Sequence, residues 1–265
     1  MRRTAFAAFL LVTATASSCH SLRAPEEPKG PHIKVLTYNL NFGAPTPEKA
    51  IQAMAGSGAD ILCLQETTPR WEALIRSRLG TSYPHMAFQH SEGAGGLACL
   101  SRWPISETAF IPPEAGWFPG WILSAETPIG RTQLLNVHLR PPLDAGEGLS
   151  SIPGAYLRTK AIRLEEIRGF VERMDAASPA ILLGDFNEED RGRALSWLRK
   201  RGFMDALAEF DTRADTWERE TAYATLSARL DHILHSPHFR CLSARVLRQG
   251  ASDHFPVLAV LERSP

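Results

Sequence analysis

The stretch Ile181-Leu182-Leu183-Gly184-Asp185-Phe186-Asn187 constrains the fold more than any other part of the chain: a short, unbroken apolar run that ends in a carboxylate and a carboxamide two residues apart. A run of this length and composition reads as a buried strand, because a strand with one wet face would alternate apolar with polar residues. Extended backbone sends alternate side chains to one face, so Asp185 and Asn187 are expected to point together from the strand's end, where they could hold a metal ion or a phosphate. Gly184 has no Cβ and lets the backbone turn, or a ligand approach, where the polar pair begins. The pair could equally do no more than start a turn, since Asp and Asn both bond their own backbone.

The arrangement recurs along the chain. Ile33 to Phe42 reads as a strand running into a loop at Gly43, with Asn39, a poor strand residue, late in the run. Asp60 to Glu66 reads as a second strand; its terminal Glu66 could also simply cap the next helix. Gly95 to Ser101 is a strand that begins on glycines. Arg131 to His138 is another, followed by Leu139-Arg140-Pro141-Pro142. Leu226 to Leu234 reads as one strand with Asp231 inside it. Gly250-Ala251-Ser252-Asp253-His254-Phe255-Pro256 then opens a last strand, Val257 to Leu261.

Helices are predicted between these runs. Thr46 is placed as N-cap and Pro47 at the first helical position, with Ala50, Ile51 and Met54 as the buried stripe and Gly56 at the end. Trp71, Leu74, Ile75 and Leu79 recur at helical spacing. A loop from Asp144 to Gly154 leads to the longest helix, marked by Leu157, Ala161, Leu164, Ile167, Val171 and Met174. A short helix runs from Ala194 to Lys200. Pro112 to Gly120 is a turn-rich loop whose Trp117 and Phe118 either stack on a base, touch lipid or fold back on the core. Strands that alternate with helices early, and leave no room for long crossover helices late, imply mixed sheets with helices outside.

At 265 residues and 44% hydrophobic content the chain can fill one large domain. Residues 1–19 read as an export signal: Arg2 and Arg3, an apolar segment from Ala5 to Val12, then small residues up to Cys19. Ala16-Ser17-Ser18-Cys19 resembles a bacterial lipobox, which implies lipidation of Cys19 and anchoring to a membrane; plain secretion and a retained start are the alternatives. Residues 20–31 read as the linker that follows, and 32–265 as the domain. The 29 basic residues balance 29 acidic ones, and without Arg2 and Arg3 the basic count falls to 27, so no basic excess is available for gripping long nucleic acid. Cys63, Cys99 and Cys241 fit neither a disulfide framework nor a zinc spacing and are expected to be buried thiols.

Taken together, Thr37-Tyr38-Asn39, Leu64-Gln65-Glu66, Asn136-Val137-His138, Gly184-Asp185-Phe186-Asn187, Arg229-Leu230-Asp231 and Ser252-Asp253-His254 resemble the ordered motifs of the endonuclease/exonuclease/phosphatase superfamily. The resemblance runs from about Ile33 to Leu261. It implies a four-layer α/β/β/α sandwich of two mixed sheets flanked by helices, with the strand-end clusters meeting at one rim. It also implies a divalent metal, Mg²⁺ or Mn²⁺, among Asn39, Glu66 and Asp253, a donor set that suits hard cations rather than zinc. His138 would donate to the phosphoryl group. His254, oriented by Asp231, would position or deprotonate water. Asp185 and Asn187 would hold the nucleophile and a phosphoryl oxygen, or a second metal, with Arg140 as a further phosphate clamp. The activity so implied is hydrolysis of a phosphodiester by an exported enzyme, a cell-envelope lipoprotein acting as a monomer on nucleic acid or on a lipid headgroup. A nuclease-like activity is the first expectation. Sphingomyelinase-like or inositol-phosphate-type hydrolysis, and a non-catalytic envelope binding protein, are the alternatives.

Overall fold

The computed structural model describes residues 22–44, 46–142, 152–221 and 224–265, with backbone alone for 152–158. The expected leader to Cys19, and most of the expected loop from Asp144, lie outside the described residues. In chain order the elements are β1 (His32–Asn39), α1 (Pro47–Gly56), β2 (Ile61–Gln65), α2 (Pro69–Leu79), β3 (His85–Gln89), β4 (Leu97–Ser101), β5 (Ile105–Ile111), β6 (Gly120–Thr127), β7 (Gly130–His138), α3 (Ile152–Val171), β8 (Ala180–Asp185), α4 (Arg193–Lys200), β9 (Met204–Asp205), α5 (Ala206–Phe210), β10 (Trp217–Glu220), β11 (Thr225–Ala228), β12 (Asp231–His235), β13 (Phe239–Val246) and β14 (Val257–Arg263).

Two six-stranded sheets stack face to face, in the orders β13-β14-β1-β2-β4-β3 and β5-β6-β7-β8-β12-β9, and β10 and β11 form a separate hairpin. Each sheet holds one parallel pair, β1 with β2 and β7 with β8, flanked by antiparallel neighbours. A parallel pair needs a crossover, which α1 supplies in the first sheet and α3 in the second.

Three apolar layers explain why the runs are continuous. Ile33, Val35, Ile61, Cys63, Leu134, Ile181 and Leu183 fill the space between the sheets. The intervening side chains point the other way: Leu36, Leu62 and Leu64 onto α1 and α2, and Leu135 and Leu182 onto α3 and α4. Helices, two sheets and helices again make the expected four-layer α/β/β/α sandwich. Cys63, Cys99 and Cys241 are buried free thiols within it. No helix among the described residues is long and apolar enough to cross a membrane.

Several expectations change. β1 stops at Asn39 instead of Phe42, because Asn41 takes φ 53° and turns the chain. Thr46 precedes α1 without a side-chain cap, whereas Thr68 caps α2 by accepting from the Trp71 amide at 3.3 Å. The helix begins at Ile152, inside the stretch read as loop, and ends at Val171, so Met174 packs on the core from beyond its last turn. The single strand expected from Leu226 to Leu234 is two, β11 in the hairpin and β12 in the second sheet. At the break, buried Arg229 bonds the Ala214 and Asp211 carbonyls, drawing the chain out of one pairing before it enters the next. Strands β3, β5, β6 and β13 were not visible in the sequence pattern.

Candidate active site

Parallel strands bring their C-terminal ends to one edge, and both parallel pairs end at the same rim. β1 ends in Asn39, β2 in Gln65 with Glu66 next, β7 in His138 and β8 in Asp185. Antiparallel neighbours bring their beginnings to that rim: Asp231 opens β12 directly opposite Asp185, and His254 precedes β14. Residues more than two hundred positions apart therefore meet.

The carboxylate of Asp185 is the hub. Asn39 Nδ2 donates to its Oδ2 at 3.1 Å, and His138 Nε2 and His254 Nε2 lie 3.5 and 3.6 Å from the same oxygen. The other oxygen, Oδ1, accepts the Asn187 backbone N–H at 2.8 Å. Asn187 itself sits at φ 49°, outside the strand, and its Nδ2 donates to the Leu139 carbonyl at 3.0 Å. The pair thus makes the backbone turn and stands at the rim together, but by a left-handed turn and not by strand alternation. Gly184, at φ 150°, packs so closely on β7 that a Cβ would sit 1.9 Å from the Val137 carbonyl oxygen.

Asn39 brackets two acids, since the same Nδ2 donates to Glu66 Oε1 at 2.9 Å. Glu66 takes φ 59°, which swings its side chain back over the strand end, and its Oε2 accepts the Phe42 N–H. Burial raises the Glu66 carboxyl above the ordinary range, opposed by the bonds from Asn39 and Phe42. Burial likewise raises Asp185. Asn39 Oδ1 is taken by the Asn41 amide at 3.0 Å, and Asn41 Nδ2 reaches on to Asp253 Oδ1 at 3.0 Å. Trp217 Nε1 holds the other Asp253 oxygen at 3.1 Å. Asn41 and Trp217 are thus part of the site, although neither was singled out from the sequence.

His254 Nδ1 lies 2.8 Å from Asp231 Oδ2, which also accepts from Thr216 Oγ1 at 2.7 Å. Burial opposes a charged His254, but Asp231 and Asp185 outweigh it and lift its pKa to about 10. His138 is set differently. Its Nδ1 faces the Ala94 carbonyl at 3.2 Å, Phe118 stacks on its ring with centroids 4.1 Å apart, and burial lowers its pKa. Phe118 therefore folds back on the rim, while Trp117 stays 42% exposed beneath the Arg140 guanidinium, 3.3 Å from the ring centroid. Glu166 of α3 ties this loop to the segment after β7: its Oε2 accepts the Arg140 N–H at 2.9 Å, and a Cβ on Gly116 would meet its Oε1 at 1.5 Å.

Among the described residues, two groups of acid and imidazole atoms lie close enough to hold a cation: Asp185, Asp231 and His254, and, separately, Asp190, Asp205 and His232. In the second, His232 uses both ring nitrogens, on Asp205 at 2.6 Å and on the Glu188 carbonyl at 2.9 Å, and Asp205 also caps α5. That group is a structural ion pair. At the rim, Asp231 Oδ1 is buried without a hydrogen-bond partner among the described residues, and Glu66 and Asp253, the carboxylates expected to hold the metal, stand outside the first group and are joined to it through Asn39 and Asn41. This hard-oxygen donor set fits a divalent cation of the Mg²⁺ or Mn²⁺ type.

The model of the Endonuclease/Exonuclease/phosphatase family matches residues 36–254. The chain belongs to this family. Its members are phosphoester hydrolases that use divalent metals. The fold is similar to that of an endonuclease/exonuclease/phosphatase from Beutenbergia cavernae, with a TM-score of 0.68 and 19% identity over 89% of this chain and 72% of that one. It is also similar to TDP2 from C. elegans, with a TM-score of 0.63 and 18% identity over 87% and 75% of the two chains. D. rerio TDP2 complexed with single strand DNA product gives a TM-score of 0.64 and 16% identity over 87% and 99%. No curated protein matches the sequence significantly.

Proposed function

We propose that the chain is an exported phosphodiesterase that works with Mg²⁺ or Mn²⁺. The observation that carries the reading is the convergence of Asn39, His138 and His254 on one oxygen of Asp185. Hydrolysis of a phosphodiester builds negative charge on the phosphoryl oxygens and the leaving oxygen, while water attacks in line with the bond that breaks. A divalent cation held by Glu66 and Asp253, on the side braced by Asn39, would neutralise part of that charge.

The chain's own groups do the rest. Asp231 fixes the ring of His254 through Nδ1, so Nε2 is aimed at the Asp185 carboxylate, where the two groups would hold the attacking water. Asp185, its carboxyl raised by burial, is suited to take a proton from that water. Because the Nδ1 proton of His138 is committed to the Ala94 carbonyl, the neutral ring presents Nε2 as an acceptor, and donation to a phosphoryl oxygen would need the imidazolium, which burial opposes and the substrate's negative charge would favour. Asn187 holds a phosphoryl oxygen from the other side of Asp185, and Arg140 acts as the further clamp.

A product strand of DNA in D. rerio TDP2 supports a phosphodiester as the substrate. The leader pattern up to Cys19 supports export and anchoring of a monomer in the cell envelope through a lipidated Cys19. Hydrolysis of bis(p-nitrophenyl) phosphate, plasmid DNA and sphingomyelin, each with Mg²⁺ and with chelator, tests the reading. Glu66→Gln and His254→Ala should each abolish turnover while leaving the fold intact; full activity in either would refute it. Recovery of an unprocessed chain from the cytosol would refute export.

A further inference from the structure

We infer that the cleft beside His254 receives an apolar ester group of the phosphodiester, an inference that rests on the hydrolase reading above. The cleft, of about 840 Å³, has Asn187 and His254 at one end and so opens directly from the proposed reaction centre. This volume lies within the range of pockets that enclose small organic ligands. Its apolar lining includes Pro141, Pro142, Leu226, Ala228 and Leu230.

The β10–β11 hairpin builds much of that lining. Cross-strand partners share a face, so Trp217 with Ala228 and Arg219 with Leu226 stand on the same side of the hairpin. The hairpin is fixed to the reaction centre at its base: Trp217 bridges to His254 and bonds Asp253, the Glu218 amide bonds the Asp253 carbonyl, and the Phe255 amide bonds the Thr216 carbonyl. Leu226 nevertheless remains half exposed. An apolar side chain held out from a hairpin indexed to the catalytic residues gains free energy when a ligand's hydrocarbon covers it.

Charge separates this occupant from a polynucleotide. The charged residues around the cleft are Glu189 and Glu220 against Arg219 and the His254 imidazolium, so the cleft has no cationic excess. Successive phosphates of a nucleic acid would find no surplus of positive charge there to neutralise them, whereas a neutral hydrocarbon or aryl group needs none.

Calorimetric titration of the Mg²⁺-loaded protein with methyl, hexyl and phenyl phosphate and with the dinucleotide pTpT tests the inference. Hexyl or phenyl phosphate should bind roughly tenfold or more tightly than methyl phosphate, from the apolar area covered; which of the two binds more tightly tells an alkyl from an aryl ester. Leu226→Asn should remove the preference and Leu226→Ala should reduce it, neither variant adding a charge beside the bound phosphate. Equal affinities for methyl, hexyl and phenyl phosphate, or tighter binding of pTpT, would overturn the cleft assignment. Failure to hydrolyse bis(p-nitrophenyl) phosphate would instead overturn the hydrolase reading.

Discussion

The Nδ1 atom of His254 and the Oδ2 atom of Asp231 lie 2.8 Å apart in a buried pair, with Thr216 Oγ1 donating to the same oxygen. The carboxylate therefore decides both how the ring is turned and how tightly it holds a proton. Asp231→Asn keeps the shape and removes the charge. We expect kcat/KM for bis(p-nitrophenyl) phosphate to fall by about 10² to 10⁴, the range of a positioned acid or base. In the metal-free protein, where burial opposes and Asp231 with Asp185 favours the imidazolium, the His254 titration followed by NMR should move below its value of about 10. Unchanged turnover together with an unchanged titration would remove Asp231 from the mechanism.

How much of this was legible depended on whether the signal was local. Asn39, Glu66, His138 and Asp185 each stand at the end of an apolar run, so the pattern that marks the strand also marks the residue. His254 was legible for the same reason, just before a strand, whereas Asp231 was read as lying inside one strand that is in fact two. Asn41, Phe118, Glu166 and Trp217 reach the rim from a turn, a loop, a helix and a hairpin, and nothing within a few residues of any of them announces the destination. β5 went unseen because most of its side chains are exposed, and β3 because all of its residues are half-buried and give no alternation. Of the two readings of Asp185 and Asn187, strand alternation and a backbone-bonded turn, the turn is the one that delivers Asn187 to the rim.

Glu166 links the loop that carries Phe118 to the segment that carries Arg140, and burial lifts its pKa from 4.5 to about 7. For an acid with a raised folded-state pKa, the folded protein binds the proton more tightly than the unfolded chain. Its contribution to stability therefore declines as pH rises from about 4.5 through about 7. Glu166→Gln removes this titration and retains an oxygen for the Arg140 amide. Urea unfolding at pH 5 and pH 8 should show a wild-type loss of stability that is smaller in the variant. Parallel pH dependence in the two proteins would show that Glu166 stays ionised throughout.

Asn136 and Gln65 tie the two sheets together immediately below the rim. Gln65 Nε2 donates to Asn136 Oδ1 at 2.8 Å, and Asn136 Nδ2 donates to the Leu64 and Ala98 carbonyls at 3.1 and 3.0 Å. Both side chains are fully buried between apolar layers, so each donor or acceptor left alone loses water without gaining a partner. Asn136→Ala leaves the Gln65 amide with the Cys63 carbonyl as its remaining acceptor and opens a small cavity. We expect it to lower stability by roughly 2 to 4 kcal/mol in urea unfolding, the cost of more than one unmet polar group. Gln65→Ala should cost about as much alone, because it strands the Asn136 carbonyl. The double variant should then cost clearly less than the two single ones added, by roughly 0.5 to 3 kcal/mol, since the second truncation removes a group the first has already left unsatisfied. Additive losses would mean that the two amides are held by their own sheets and that the stack of the sheets near the rim rests on apolar packing alone.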